Sequence, residues 1–303
     1  MTRVALRKPF DSSPDLLAAL ELLKPITWFP PMWAFGCGIA SVAGSASLDW
    51  WRVALGVLLT GPIVCGCSQA VNDWFDRDVD AINEPNRPIP SGRVPGYWGL
   101  IIAIVWTALG VVAALPLGVF AFRATLAGLL LAWAYSAPPV RLKRNGWYGN
   151  TAVAVCYEGL PWVTAAAVAG GGIVSTHVLV LAALYSAGAH GIMTLNDFKS
   201  VDGDKRMGVR SLPVQLGVPA AARLACVTMA LPQVIVLACL VHWHAPWFAI
   251  AVGALLIAQL LLMRRLLQQP RERAPWYNAT GISLYVLGML VGAFALRTEV
   301  QWM

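Results

Sequence analysis

The chain has 303 residues, of which 58% are hydrophobic and only 12% are charged, and its mean hydropathy is +0.65. Soluble globular domains carry about twice that share of charged residues, so the composition excludes a soluble protein and indicates a chain that crosses a membrane several times. The net charge of +7 matches basic loops between apolar segments and does not indicate a nucleic-acid-binding surface.

The first 24 residues contain no cleavable apolar core of the kind that a signal peptide needs. We expect them to form a cytoplasmic N-terminal segment with one short helix, which starts at Pro14 and is capped by Ser13. This helix would lie on the membrane surface with an apolar face of leucines. The leucines are Leu16, Leu17, Leu20 and Leu23.

The remainder of the chain, 25–303, is predicted to be a single transmembrane domain built only of helices. A membrane-spanning helix needs about 20 mostly apolar residues, and the backbone must be helical because lipid offers it no hydrogen-bond partners. Nine segments satisfy this requirement, and the third and fourth are joined by a tight turn at Pro116-Leu117-Gly118. The nine are roughly 26–45, 53–72, 97–115, 117–136, 148–169, 176–195, 219–241, 246–263 and 278–296.

The basic residues are distributed unevenly between the two sides that these nine spans define. One side carries 19 of the 22 lysines and arginines, and the other side carries Arg52, Arg123 and Arg297. Because cytoplasmic loops are enriched in Lys and Arg, the N-terminus is predicted to be cytoplasmic, together with the loops after the second, fourth, sixth and eighth spans.

Two acidic clusters follow predicted spans on this cytoplasmic side. The first acidic cluster is residues 72–80, and the second is residues 196–204; together they hold seven of the 15 acidic residues. When the clusters are aligned, an Asn-Asp pair and two later aspartates coincide, while Asp76 stands opposite Ser200. The clusters lie 124 residues apart with four spans between them, so we interpret them as copies from a diverged duplication that face each other across a central cavity.

Crowded carboxylates repel one another unless a cation joins them, and Mg²⁺ takes carboxylate oxygens together with phosphates. If the second span continues as a helix up to Pro85, then Asn72, Asp73, Asp76 and Asp80 share one face and Asp78 points away. In the second cluster Gly203 loosens the helix, so Asp197 and Asp204 are the better candidate ligands, and Asp202 is the next.

Cationic side chains surround both clusters, as a diphosphate bound through Mg²⁺ requires. A Ca²⁺ loop and a solvated acidic face are the alternatives, although the EF-hand spacing is absent. The candidate diphosphate-binding residues are Arg87, Lys143, Lys205, Arg206 and Arg210. Tyr135, Arg141 and Arg144 flank the Ser136-Ala137-Pro138-Pro139 segment.

Two ionisable residues lie inside predicted spans. Glu158 is an intramembrane acid beside Pro161, and such a group is either functional or a neutral, hydrogen-bonded core residue. His190 either packs in the core or ligates a metal at the centre of a macrocycle. Both are candidate residues for contact with a macrocyclic ligand.

The acidic clusters and their flanks resemble the UbiA superfamily of intramembrane prenyltransferases. Residues 72–80 match its first Asp-rich motif, and 83–92, 189–199 and 210–217 resemble the branch that contains the chlorophyll and bacteriochlorophyll synthases. The second motif departs from the common pattern at Ser200 and Asp202. The resemblance implies a nine-helix bundle and, given the short N-terminal segment, a bacterial inner or photosynthetic membrane, with its active site facing the cytoplasm.

The resemblance further implies transfer of a geranylgeranyl or phytyl group from its diphosphate to the propionate carboxylate of bacteriochlorophyllide, with chlorophyllide as the alternative acceptor. Mg²⁺, expected as two ions, would be held by both clusters, and Tyr135 would stabilise the leaving group or the allylic cation. The residues expected to be catalytic are Asp76, Asp80, Asp197, Tyr135 and Lys143. Further expected partners are membrane lipid and proteins of the pigment pathway or of translocation.

Three other functions fit parts of the pattern. A quinone or haem prenyltransferase would share the two motifs. A secondary transporter would explain Glu158 and the internal repeat, but transporters place their ligands near the bilayer midplane, whereas these acids gather at one membrane face. A pigment-binding protein without catalysis would bind the macrocycle and release no diphosphate.

Overall fold

The computed structural model describes residues 13–42 and 48–299, and within these ranges the secondary structure is helical apart from one isolated bridge between Asn145 and Arg210. The helices are α1 (Leu16–Leu22), α2 (Phe29–Ala40), α3 (Trp50–Leu58), α4 (Gly66–Asn83), α5 (Trp98–Ala114), α6 (Val119–Ser136), α7 (Gly146–Ala154), α8 (Leu160–Ala169), α9 (Thr176–Asn196), α10 (Val201–Met207), α11 (Leu212–Leu216), α12 (Val218–His242), α13 (Pro246–Leu266) and α14 (Pro270–Glu299). Two π-helical segments, Leu59–Cys65 and Val155–Gly159, join α3 to α4 and α7 to α8.

In the described part of the chain, eight helical stretches are long and apolar enough to cross a membrane. The protein is therefore an all-α, multi-pass membrane protein, as expected. The eight stretches are Trp50–Asn83, Trp98–Leu117, Val119–Ser136, Gly146–Ala169, Thr176–Lys199, Val218–His242, Pro246–Leu266 and Pro270–Arg297. The predicted first span, 26–45, contains the 12-residue α2 and runs into residues 43–47, which lie outside the described ranges. The total of nine spans and the cytoplasmic N-terminus stay predictions.

The short N-terminal helix α1 starts two residues later than expected. Asp15, and not Ser13, is its N-cap, because the Asp15 side chain accepts a hydrogen bond from the backbone N–H of Leu17 at 3.1 Å. Leu16 and Leu17 are 84% and 75% exposed, as the prediction of a membrane-facing surface requires. Leu23 is buried, so only part of the expected apolar face is exposed.

The tight turn between α5 and α6 lies where the sequence predicts it. A 3-10 turn at Leu115–Leu117 ends α5, and Gly118 then adopts a φ of 101° before α6 starts at Val119. L-residues with a side chain rarely adopt this conformation, so glycine permits the reversal.

The described residues form two compact units, and the division falls inside α2. The first unit comprises residues up to Trp33 together with Trp50–Arg141. Its core joins α1, α4 and α5 through buried Leu22, Val71, Trp74 and Ile102. Thus α1 is part of this core, and the predicted boundary at residue 24 stays a prediction.

The second unit comprises residues 34–49 and the chain from Leu142 onwards. Aromatic side chains from α8, α9 and α14 fill its interior: Trp162 stacks on Tyr185 at 5.7 Å between ring centroids, and Tyr285 meets Tyr185 edge-on at 5.4 Å. Tyr285 donates a hydrogen bond to the Tyr185 carbonyl, and Trp162 donates one to Ser41 Oγ. The buried donors of Trp162 and Tyr285 therefore have acceptors in this interior, whereas the Tyr185 hydroxyl has no hydrogen-bond partner among the described residues.

The second unit also contains a fully buried pair of amides, which predicts a cost for removing one member. Gln233 and Gln259 exchange hydrogen bonds of 3.1 and 2.9 Å. Gln259→Leu leaves Gln233 without this partner, so we expect the free energy of unfolding to fall by about 1–2 kcal/mol. The double variant Gln233→Leu/Gln259→Leu should recover part of the loss, because it leaves no unpaired amide.

Reversible unfolding in mixed micelles measures these differences. Gln269→Leu is the control, because Gln269 is exposed after the end of α13. A double variant that is less stable than Gln259→Leu alone would contradict the explanation.

Candidate active site

The first acidic cluster lies on the last turns of α4, which continues without interruption to Asn83. Asp73 and Asp80 are buried, with exposures of 2% and 7%, and Asp76 is partly buried. Asp78 is exposed. The helix therefore separates these four aspartates as its 3.6-residue period predicts, with Asp78 on the outer side.

Three cations from outside α4 meet the carboxylates of the first cluster. Lys24 Nζ lies 2.6 Å from Asp73 Oδ1, and Arg87 Nη1 lies 2.8 Å from Asp80 Oδ2 and 3.6 Å from Asp73 Oδ1. Arg141 Nη2 lies 3.6 Å from Asp76 Oδ1. Each candidate carboxylate of this cluster therefore has a cationic partner.

The loop after α4 holds Arg87 in this position. Its backbone N–H bonds to the Glu84 carbonyl, its carbonyl accepts from Ser91, and buried Ile89 anchors the loop to the core. Desolvation opposes the charge of Arg87, but Asp80 and Asp73 outweigh it and raise the pKa of the guanidinium. Arg87 therefore stays cationic at the position where the sequence predicts a diphosphate-binding residue.

The donor atoms of the first cluster fit a hard divalent cation. Asp73 Oδ2 is buried and accepts no hydrogen bond, and carboxylate oxygens are the ligands that Mg²⁺ prefers. Among the described residues, no three His, Cys, Asp or Glu side chains are grouped closely enough to hold a metal in this arrangement. The chemistry of the cluster thus suits Mg²⁺, although its carboxylates here face Lys24, Arg87 and Arg141.

The second acidic cluster begins at the end of α9. Asp197 lies in a 3-10 turn and accepts a hydrogen bond from buried Asn150 at 3.2 Å. Asp204, in α10, accepts hydrogen bonds from Ser200 at 3.0 Å and Ser211 at 2.7 Å. The two better candidate ligands of this cluster, Asp197 and Asp204, therefore accept hydrogen bonds from amide and hydroxyl groups.

Asp202 lies on the outer side of α10 and is bound by Arg271 of α14. Its side chain is 63% exposed, and the hydrogen bond and charge of Arg271 lower the pKa of Asp202. Asp202 is thus paired with Arg271, whereas Asp204 is oriented by the hydroxyls of Ser200 and Ser211.

The two clusters share two structural features that the sequence alignment does not reveal: which aspartate is exposed, and where the partner of the last aspartate lies in the sequence. Asp78 and its counterpart Asp202 are both exposed. Asp80 and its counterpart Asp204 are each bound by a side chain seven residues later, Arg87 in one copy and Ser211 in the other. This common arrangement supports the interpretation of a duplication.

The remaining candidate cations of the second unit lie in two segments that backbone hydrogen bonds hold side by side. Gly146 N donates to the Arg210 carbonyl, and Arg210 N donates to the Arg144 carbonyl. This bridge places the segment of Lys143 beside the segment that follows α10. Lys205, Arg206 and Arg210 are exposed, and Lys143 is partly buried.

Tyr135 and the two intramembrane candidates have distinct surroundings. Tyr135 precedes Ser136, which donates a hydrogen bond to Asn72, so the end of α6 adjoins the first cluster. Glu158 is 5% exposed within the π-helical segment, and its Oε2 accepts no hydrogen bond. His190 stacks on Trp147 at 5.8 Å.

A hydrogen-bonded chain links the turn of His190 to the second cluster. The His190 carbonyl accepts from Thr194, whose hydroxyl accepts from Asn150, and Asn150 also donates to Asp197. Among the described contacts, Glu158 takes no part in this series of hydrogen bonds. Of the two intramembrane candidates, His190 is therefore the one whose segment is connected to Asp197.

Sequence reasoning did not assign a role to five residues that contact aspartates of the clusters, and it named Arg141 among them only as a flanking cation. None of them carried a local signal, because each lies far along the chain from the aspartate it contacts or has an ordinary polar side chain. They are Lys24, Arg141, Asn150, Ser211 and Arg271.

The fold and the two clusters define a class: polytopic helical membrane proteins with Asp-rich motifs at helix ends. Residues 29–287 match the UbiA prenyltransferase family. The chain belongs to this family, and the predicted resemblance is confirmed. The protein is therefore an enzyme of the prenyltransferase class.

Similar proteins support this assignment. The chain is 56% identical over 286 residues to the Bacteriochlorophyll synthase 33 kDa chain of Cereibacter sphaeroides, and the aligned region covers 94% of this chain and 95% of that protein. It is 38% identical over 291 residues to the chloroplastic Chlorophyll synthase of Arabidopsis thaliana, which covers 91% of this chain and 73% of that protein. A UbiA homolog from Archaeoglobus fulgidus, solved bound to GPP and Mg²⁺, has the same fold with a TM-score of 0.68 at 19% identity, over 93% of this chain and 99% of that one.

The pairing of Arg87 with Asp80 predicts a measurable contribution to stability. Arg87→Met leaves a mostly buried carboxylate without its nearest cation, so we expect the free energy of unfolding to fall by about 1–3 kcal/mol. Adding Asp80→Asn should restore part of it, since the amide carries no charge. Thermal unfolding of the purified protein in detergent gives the comparison.

Glu84→Gln is the matched control. Glu84 is 3.9 Å from Arg87 and its side chain is 60% exposed, so its removal should leave the melting temperature unchanged. Equal destabilisation by Arg87→Met and Glu84→Gln would contradict a specific role of the Arg87–Asp80 pair.

Proposed function

We propose that this protein transfers a geranylgeranyl or phytyl group from its diphosphate to the propionate carboxylate of bacteriochlorophyllide, in a Mg²⁺-dependent reaction. The observation that carries the proposal is the 56% identity, along 94% of the chain, to a relative that is named a bacteriochlorophyll synthase chain. The lower identity of 38% to a chlorophyll synthase favours bacteriochlorophyllide over chlorophyllide as acceptor.

The two acidic clusters support the prenyl diphosphate and the metal. Each cluster presents aspartates at the end of an apolar helix, and a related fold has been solved with GPP and Mg²⁺. We assign Asn72, Asp73, Asp76 and Asp80 to one Mg²⁺ ion, and Asp197 and Asp204 to a second. Bound Mg²⁺ supplies positive charge that stabilises the departing diphosphate.

The chain's own cations take part in the same charge balance. Arg87 adjoins the first cluster, while Lys143, Lys205, Arg206 and Arg210 belong to the joined segments of the second unit. In the reaction, the bond between the allylic carbon and the diphosphate oxygen breaks, and the diphosphate leaves with the electron pair. Preorganised guanidinium and ammonium groups stabilise this developing negative charge.

The acceptor carboxylate needs little activation. A carboxyl group with an ordinary pKa of about 4 is already ionised at neutral pH, so its oxygen can form the ester bond without a general base. The protein's remaining tasks are to orient two apolar substrates and to exclude water, which would otherwise capture the allylic cation. Tyr135, at the end of α6, is our candidate for contact with the leaving group or the cation.

We assign the site to the cytoplasmic face of a bacterial inner membrane. The bias of Lys and Arg towards the loops that carry both clusters supports this orientation.

Product analysis tests the function directly. Purified protein incubated with Mg²⁺, geranylgeranyl diphosphate and bacteriochlorophyllide should form the ester and release diphosphate, both detectable by mass spectrometry. EDTA should stop the reaction, and added Mg²⁺ should restore it. Faster turnover of chlorophyllide would replace bacteriochlorophyllide as acceptor, whereas pigment binding without any ester would contradict catalysis.

Neighbouring aspartates of α4 provide a matched comparison for the first cluster. Asp76→Asn removes a predicted ligand and should lower kcat/KM by at least about 1,000-fold, because charge stabilisation of the leaving group dominates the rate. Asp78→Asn, two residues away and exposed, should change kcat/KM less than about threefold. Near-normal turnover by a folded Asp76→Asn variant would remove Asp76 from the site.

The second cluster allows a similar ranking. Asp197→Asn should lower kcat/KM far more than Asp202→Asn, because Arg271 holds Asp202 on the outer side of α10. Steady-state kinetics of the two variants at saturating Mg²⁺ measures the ratio. A greater loss in Asp202→Asn would show that Asp202 contributes to the reaction after leaving Arg271.

A further inference from the structure

Asp73 combines burial with an oxygen atom that has no hydrogen-bond partner. Only 2% of Asp73 is exposed, yet its Oδ2 atom accepts no hydrogen bond. A buried carboxylate with an unsatisfied oxygen is costly unless a cation compensates for it. Lys24 provides that compensation at the other oxygen, with its Nζ 2.6 Å from Oδ1.

The backbone holds Lys24 in an unusual conformation for this contact. Its φ is 47°, in the left-handed region that L-residues other than glycine rarely adopt because it is strained. Hydrogen bonds support the strained residue: its N–H donates to the Glu21 carbonyl, and its carbonyl accepts from the backbone N–H and the side chain of Thr27. The turn between α1 and the following 3-10 helix thus directs Lys24 towards Asp73.

The segment that carries Lys24 has a second, independent attachment. Arg93 binds Glu21 of α1 through two hydrogen bonds of 2.5 and 3.0 Å, and its carbonyl accepts from the N–H of Asp15. Leu22 and Ala18 also pack into the core of the first unit. The ammonium of Lys24 can therefore leave Asp73 while α1 stays docked.

We propose that Lys24 is a displaceable counter-ion for Asp73, which holds the carboxylate while no metal is bound and competes with the divalent cation for it. The proposal rests on the proposed function, since it takes the first cluster to bind Mg²⁺. Lys24 carries one charge on a side chain that is 25% exposed, so it can withdraw towards solvent. Arg87, 3.6 Å from Asp73 and 2.8 Å from Asp80, remains as the permanent cation of the cluster.

Metal affinity without substrate tests this competition. Lys24→Gln removes the competing charge, so the protein should bind Mn²⁺, followed by electron paramagnetic resonance and displaced by Mg²⁺, about tenfold more tightly than the unaltered protein. Lys24→Arg keeps a cation beside Asp73 and should retain the original affinity. A purely structural role for Lys24 would instead weaken or leave unchanged the binding of Mn²⁺ in Lys24→Gln.

Glu21→Gln is the control for disturbance of α1. It breaks the pair with Arg93 without contacting Asp73, so it should leave Mn²⁺ affinity unchanged. Equal affinities of Lys24→Gln and the unaltered protein would overturn the proposal, as would equal tightening by Glu21→Gln. If neither Lys24→Gln nor the unaltered protein binds Mn²⁺, the metal-dependent function itself fails, which is a separate outcome.

A measurement on the unaltered protein avoids dependence on the folding of a variant. Acetylation of Lys24 by an amine-reactive ester, quantified by peptide mass spectrometry, should accelerate at least about threefold when Mg²⁺ is added, because a side chain released from Asp73 is more accessible to the reagent. NaCl of the same ionic strength is the control. An acetylation rate that does not respond to Mg²⁺ would contradict displacement of Lys24.

Discussion

The need to neutralise carboxylates at the ends of membrane helices governs much of this structure. Asp73 and Asp80 are buried on α4, where a lone negative charge would be costly, and their cationic partners come from segments outside this helix. The N-terminal turn supplies Lys24 and the loop after α4 supplies Arg87. Core packing and the Glu21–Arg93 pair dock α1, and buried Ile89 anchors the loop, so both segments hold their cations beside the carboxylates.

The second cluster meets the same need by other means. Asp197 and Asp204 are bound by the amide of Asn150 and the hydroxyls of Ser200 and Ser211, which are neutral donors. Ser200, which stands opposite Asp76 in the aligned clusters, donates a hydrogen bond to Asp204 and contributes no carboxylate. A diverged copy can therefore keep the position of its last aspartate while the partners that hold it change.

Membership in the UbiA prenyltransferase family and the proposed esterification give these charges a common purpose. A prenyl diphosphate brings concentrated negative charge to the membrane surface, and a pigment acid brings a large apolar ring with one carboxylate. Aspartates that recruit Mg²⁺, and arginines and lysines that stay charged, are suited to the diphosphate end. The apolar surfaces of the membrane-spanning helices suit the prenyl chain and the pigment ring.

The sequence by itself determined the all-helical membrane fold, eight of the spans, the turn at Gly118 and the outward direction of Asp78, because hydropathy and the 3.6-residue helical period are local properties. Only the tertiary structure decided that Lys24 meets Asp73, 49 residues away, and that Arg271 meets Asp202, 69 residues away. It also decided that Asp15 caps α1 where Ser13 was expected. These contacts depend on which surfaces the packing brings together, and local sequence carries no record of that.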